Sequence, residues 1–242
     1  MKLMERTWPE FLDLQSIGMS YGGPEMWLMT INNPRTGSEL EKAGMFIEAN
    51  VHGNEIQGGE VALYTIWYLM ENYGEIDEIT RLVDERVFYI LPTVNPDGRD
   101  YFLDNAGSGA RTGHIPVDSD GDGLFDEDPP NDLNGNGVIE QIRKYTPGAG
   151  NFRESEQDPR IMVPVEPGSV GDWVMLGSEG IDDDGDGRID EDPVELIDND
   201  GDGYINEDGV GGYDMNRSWP SLWMPEHIQY GAGPYPLYWP ET

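Results

Sequence analysis

The chain has 242 residues and a formal net charge of −34, from 48 acidic and 14 basic residues. Phosphate recognition needs a basic surface, so this balance argues against nucleic acid and makes cations the expected partners. There is no cysteine, hence no disulfide and no thiolate metal site, and no stretch nears the ~18 apolar residues that would span a bilayer.

The length suits one large α/β domain or two small ones. The opening "MKLMERTWPEF" lacks the apolar h-region of a signal peptide. In chain order, Glu25–Ile31 is expected to be a strand that Asn32-Asn33-Pro34 ends. Met45 to Val51 is a nearly all-apolar run, the pattern of a strand in a sheet covered on both faces. From Glu55 to Tyr73 the period turns helical, with Leu63, Ile66, Trp67 and Met70 on one face and Gly74 as the stop. Arg86–Leu91 reads as a third strand, and Asn95-Pro96-Asp97-Gly98 as a turn. Strand, helix and strand in this order indicate an α/β fold with a mixed, mainly parallel sheet flanked by helices. Residues 105–212 are rich in Gly, Pro and Asp with almost no apolar periodicity, so something other than a hydrophobic core is expected to order them.

The charge sits mainly in that region. Residues 118–140 and 182–208 hold 8 and 13 carboxylates, 21 of the 48, with Arg188 as the sole basic residue among them. Four segments share one spacing: "DSDGDGLFDED", "DLNGNGVIE", "DDDGDGRIDED" and "DNDGDGYINED". Oxygen-bearing residues at positions one, three and five with Gly at six make the first half of an EF-hand-like calcium loop, because Ca²⁺ takes six to eight hard oxygens and Gly permits the sharp turn. The matching ligands are Asp118, Asp120 and Asp122; Asp132, Asn134 and Asn136; Asp182, Asp184 and Asp186; and Asp198, Asp200 and Asp202. No Glu stands at position twelve, where the first and third loops have Pro129 and Pro193. Asp126 and Asp128, Asp190 and Asp192, and Asp208 are the candidate closing carboxylates, and in this the loops resemble those of thrombospondin-type and dockerin-like repeats. Two to four Ca²⁺ ions are expected. A solvated acidic linker or a halophilic surface is the plainer account of such charge runs.

The second strand ends in "ANVHGNE". One His and one Glu three apart, His52 and Glu55, can turn toward a single Zn²⁺, leaving another His and a water to complete the shell. They serve equally well as a polar turn. Strand ends of α/β sheets are where ligand sites collect.

Four segments in order, "SIGMSYGGPEMWLMTI", "KAGMFIEANVHGNEIQGGE", "YILPTVNPDGRDYF" and "YDMNRSWP", resemble the zinc carboxypeptidase family, the carboxypeptidase A-like metallocarboxypeptidases. The likeness covers roughly residues 16–111 and 212–242. It implies the family's phosphorylase/hydrolase-like α/β fold. Residues 1–111 would be the first part of the catalytic domain, 112–211 an inserted set of calcium loops and 212–242 the continuation. It also implies one zinc ion held by His52 and Glu55, with Asn216 and Arg217 gripping the substrate's terminal carboxylate and Arg111 polarising the scissile carbonyl. The substrate class is then peptides or peptidoglycan stems, cut at the C-terminal residue.

The family pattern also calls for a third zinc ligand, a His, and a Glu general base, both expected beyond Thr242. His114 adjoins the first acidic loop, and His227 is a conceivable substitute ligand. The chain is therefore expected to be a piece of the catalytic domain, lacking its last third and its first helix, with weak zinc affinity and no turnover. The competing expectation is a calcium-binding extracellular scaffold or adhesion module with a vestigial peptidase half. A dockerin-like interaction domain leaves the strand-helix-strand block unexplained. Loops of this type usually need extracellular calcium, which points to a secreted or periplasmic protein.

Overall fold

Residues 1–105, 110–118, 123–126, 138, 141–178 and 210–242 are described in the computed structural model. The chain divides into two units, Met1–Asp104 with Gly109–Val117 and Val210–Thr242, and Asn105–Ser108 with Asp118–Gly209.

In the first unit, helix α1 (Lys2–Thr7) leads into strands β1 (Leu12–Met19), β2 (Glu25–Ile31) and β3 (Ala43–Glu48). Helices α2 (Ile56–Glu71) and α3 (Asp77–Glu85) precede strand β4 (Arg86–Leu91), which is followed by helix α4 (Pro96–Asp104). The sheet order is β1-β2-β4-β3. β3 and β4 run parallel, and β1–β2 and β2–β4 are antiparallel. A parallel pair needs a long crossover, and α2 with α3 provides it. The fold is α/β with a mixed sheet, as expected, but the expected mainly parallel character is corrected: among the described residues β3–β4 is the one parallel pair of this sheet.

The apolar stripe of α2 buries Ala62, Ile66, Leu69 and Met70 against Met29, Ile31 and Ile90 of the sheet and Val83 of α3. Of the face expected from the sequence, Ile66 and Met70 are buried, while Trp67 is 39% exposed. Gly74 takes φ +84° just past the helix end, a conformation glycine adopts at no steric cost. A second cluster joins Met26, Leu28, Leu91 and Val94 to Met215 and Trp239 from the C-terminal stretch.

Several expectations are corrected. β3 is not covered on both faces: it is the outermost strand among the described residues, and Met45 and Phe46 are 53% and 56% exposed. An apolar run cannot distinguish a central strand from an edge strand. A short helix, α1, does precede β1. Residues 95–98 are not a free turn but the start of α4, because Asn95 accepts the Gly98 N–H at its Oδ1 (2.8 Å) and Pro96 holds the first helical position. Helix α3 had no expectation, although Ile79, Leu82 and Val83 lie at helical spacing, with Val83 fully buried.

The second unit holds a four-stranded antiparallel sheet, β5 (Gln141–Gly150), β6 (Phe152–Glu154), β7 (Met162–Pro164) and β8 (Gly171–Ser178), in the order β5-β8-β6-β7. The expectation that 105–212 has no apolar order is thus corrected for this stretch. Tyr145 pairs across the ladder with Trp173 at a ring separation of 4.9 Å, and the Arg143 guanidinium lies over the same indole at 4.5 Å.

Candidate metal centre

After β3 the chain folds back over the start of α4. Val94 N–H donates to Ala49 O (3.0 Å) and Asn95 N–H to Asn50 O (3.1 Å), extending the β3–β4 contact beyond the strands. Asn50 takes φ +53°, in the small left-handed region that Asn tolerates better than most residues. That kink ends the strand and turns the next residue pair. Glu55, at the N-cap position of α2, follows as the helix begins.

His52 is buried, its side chain 6% exposed, and both ring nitrogens face carboxylates. Nδ1 lies 3.0 Å from Glu55 Oε2, and Nε2 lies 3.1 Å from Asp214 Oδ1. Carboxylates offer only acceptors, so each contact needs a proton or a shared cation between nitrogen and oxygen. Arg111 supplies further positive charge, with Nε 3.4 Å from Asp214 Oδ2 and Nη1 3.7 Å from Glu55 Oε1. Its backbone is tied to the same loop, since Gly53 N–H donates to Arg111 O (3.0 Å). Glu55 and Arg111 are partly wet, their side chains 54% and 44% exposed, whereas Asp214 is 14% exposed.

Asp214 is the residue that motif reading passed over. It stands first in a 3-10 turn, Met215–Arg217, and accepts the Asn216 N–H at Oδ1 (2.8 Å). Its backbone N–H is held by Gly231 O (2.8 Å). One carboxylate thus orients His52, pairs with Arg111 and caps the turn that carries Asn216 and Arg217. A carboxylate two residues before Asn216 was the available signal, but the contact to His52 spans 162 positions.

The donor set fits zinc. His52 and Glu55 offer one nitrogen and one oxygen, and two ligands of one tetrahedral zinc stand about 3.4 Å apart given metal–ligand distances near 2.1 Å. The 3.0 Å separation is close to that. The second nitrogen donating to a carboxylate is the usual support for a metal-bound imidazole. Among the described residues no group of three His, Cys, Asp or Glu side chains is arranged to hold a metal ion. His227 is exposed, and His114 packs edge-on to Tyr101 with ring centroids 5.2 Å apart. Asn216 is exposed, its Oδ1 taking the Trp219 Nε1–H at 3.2 Å. Arg217 is half-buried, with Nη1 donating to Asn216 O (3.2 Å) and no ion pair among the described residues.

Of the acidic-loop residues, Asp118 and Asp126 are described, the latter with φ +56°. Asp120, Asp122, Asp128, Asp132, Asn134, Asn136, Asp182, Asp184, Asp186, Asp190, Asp192, Asp198, Asp200, Asp202 and Asp208 lie outside the described residues.

A family model described as zinc carboxypeptidase matches residues 1–127. Carboxypeptidase D of Drosophila melanogaster is 34% identical over 116 residues, 48% of this chain and 8% of that protein. Carboxypeptidase M of Mus musculus is 32% identical over 98 residues, 40% of this chain and 22% of that protein. This chain therefore spans less than a quarter of the length of either relative. Among solved structures, carboxypeptidase A from Helicoverpa armigera aligns at 21% identity with a TM-score of 0.41, covering 47% of this chain and 26% of that one.

Proposed function

Because the chain belongs to the zinc carboxypeptidase family, we propose that His52 and Glu55 hold a catalytic zinc for hydrolysis of C-terminal residues from peptides or peptidoglycan stems. The observation that carries this reading is the His52 ring, buried and held at Nε2 by Asp214 while Nδ1 meets Glu55.

Zinc, when bound, lowers the pKa of its water and polarises a carbonyl. Asp214 fixes the imidazole so that Nδ1 presents its lone pair outward, and it strengthens the ligand by accepting the Nε2–H. Arg111 places a permanent cation within 3.7 Å of Glu55, where its N–H groups would stabilise negative charge on a substrate carbonyl oxygen. Asn216 and Arg217 take the terminal carboxylate of the substrate. Arginine's planar fork matches a carboxylate through two parallel hydrogen bonds, which a lysine cannot reproduce. The segment with Asn216 and Arg217 lies outside residues 1–127, so that role rests on the motif and on its tie to Asp214.

The same proposal includes two to four Ca²⁺ ions on the acidic repeats, ordering backbone that a hydrophobic core does not. Loops of this kind bind at about 10⁻⁴–10⁻³ M, the range of extracellular modules, which accords with export. Among the described residues no helix is long and apolar enough to cross a membrane.

The test is a Co²⁺ titration in excess Ca²⁺, read by visible absorption, which reports nitrogen ligation and ignores acidic sites. One equivalent is expected to bind, and His52→Ala or Glu55→Ala to abolish the band. A band that survives His52→Ala refutes the metal assignment.

A further inference from the structure

Asn95 is fully buried and spends its entire carboxamide. Oδ1 accepts the Gly98 N–H (2.8 Å) as the cap of α4. Nδ2 donates to Val51 O (3.3 Å), the residue before His52, and to Thr112 O (3.0 Å), the residue after Arg111. Its backbone N–H donates to Asn50 O (3.1 Å). Asn50, also buried, in turn donates from Nδ2 to His52 O (2.7 Å) and Gly53 O (3.2 Å). The backbones meet closely as well: a Cβ on Gly98 would stand 2.5 Å from Thr112 O, and one on Gly53 would run into the Gly98 carbonyl. Three segments, the metal loop, the start of α4 and the Arg111 stretch, therefore converge on one amide group. Neither asparagine has a part in the ligand set or in substrate binding.

We propose that Asn95 is a positioning residue whose carboxamide sets the His52–Glu55 loop and the Arg111 segment against one another. The proposal rests on the metal reading above. A carboxamide is required because the same group must accept from the helix and donate to two carbonyls. Aspartate keeps the first function and turns the second into repulsion between acceptors.

The full chain is the test object. Asn95→Asp retains the helix cap, since Asp caps as well as Asn, and removes both donors. Val94→Ala is the control, because Val94 is equally buried and one residue away. Loss of an outer partner typically weakens metal binding about 10–100-fold, so Asn95→Asp should bind Co²⁺ at least about tenfold more weakly and move the His52 ring N–H resonance. Val94→Ala, at a similar drop in thermal midpoint, should do neither. Equal loss of affinity in the two variants at matched midpoint overturns the proposal. Should Asn95→Asp fail to fold, Asn95→Ser replaces it, since serine also caps a helix and lacks both Nδ2 donors. Its Co²⁺ binding should weaken several-fold relative to Val94→Ala at matched midpoint, and binding equal to that control overturns the proposal. If the native chain binds no Co²⁺, the metal reading has failed separately. The His52 ring signal of the metal-free chain then decides: altered in Asn95→Asp alone supports positioning, unaltered overturns it.

Discussion

Gly53 and Gly58 stand five residues apart around the candidate ligand Glu55, and alanine at the two positions should act with opposite sign. A Cβ on Gly53 would lie 2.8 Å from Gly98 Cα and closer still to the Gly98 carbonyl carbon and oxygen. Carbon atoms in contact settle at about 3.5 Å, so the loop must retreat by roughly 0.7 Å or more against backbone that has no rotamer to yield. Overpacking of this kind costs about 1–3 kcal/mol. The same retreat moves His52 away from Asp214. A Cβ on Gly58 meets Asn50 N at 3.4 Å and Ala49 Cβ at 3.5 Å, which is ordinary contact. Gly58 lies in the first turn of α2, where Gly→Ala stabilises a helix by about 0.5–1 kcal/mol. Urea unfolding followed by tryptophan fluorescence reads both, with unchanged m-values as the sign that only stability moved. Gly53→Ala should lower the midpoint and weaken Co²⁺ binding, and Gly58→Ala should raise the midpoint and leave binding intact. A Gly53→Ala chain as stable as the native one would mean that the His52–Glu55 loop does not rest on α4.

Asp214→Ala should cost about 1–3 kcal/mol, because the buried His52 nitrogen and the Asn216 N–H lose their acceptor; a thermal melt showing no loss would contradict the contact. Glu241 is 6% exposed, with Oε1 taking the Tyr21 N–H (2.8 Å) and Oε2 buried without a hydrogen-bond partner among the described residues. Burial, and then the charge of Asp97, raise its carboxyl above the usual range. A raised carboxyl binds more protons folded than unfolded, so stability falls as pH rises from the ordinary carboxylate range through the folded value. Glu241→Gln should therefore be more stable than the native chain at neutral pH, with the advantage vanishing in acid; a gain that is constant with pH would sink this account. Calcium removal should expose residues 105–212 to protease before the rest of the chain, and an identical digestion pattern with and without chelator would count against the acidic loops.

How much of this was legible depended on the range over which each signal acts. β2, α2 and β4 were readable because their apolar periods lie within one segment and their faces bury into one core. β3 was readable as a strand but not as an edge, since neighbours in a sheet are not written in the strand itself. Asn95-Pro96 carries both a turn signal and a helix start, and the deciding bond, Gly98 N–H to Asn95 Oδ1, depends on geometry. The sheet of residues 141–178 was masked by the Gly, Pro and Asp of its flanks, although Arg143, Tyr145, Trp173 and Met175 occupy matched ladder positions. At the site, the short His52–Glu55 spacing was visible in the chain. Asp214 and the paired asparagines act across 162 and 45 positions, a distance at which only the folded backbone brings them together.

That 162-residue separation also has a consequence in time. A ribosome adds about 5–20 residues per second, so roughly 8–32 s separate the synthesis of His52 from that of Asp214. Once α4 has been made, the nascent His52–Glu55 loop has that support but no carboxylate behind the ring. Every one of the acidic repeats is made within the same interval. The order of residues along the chain is also an order of assembly, with the Asp214 contact to His52 formed after the carboxylate stretches are made.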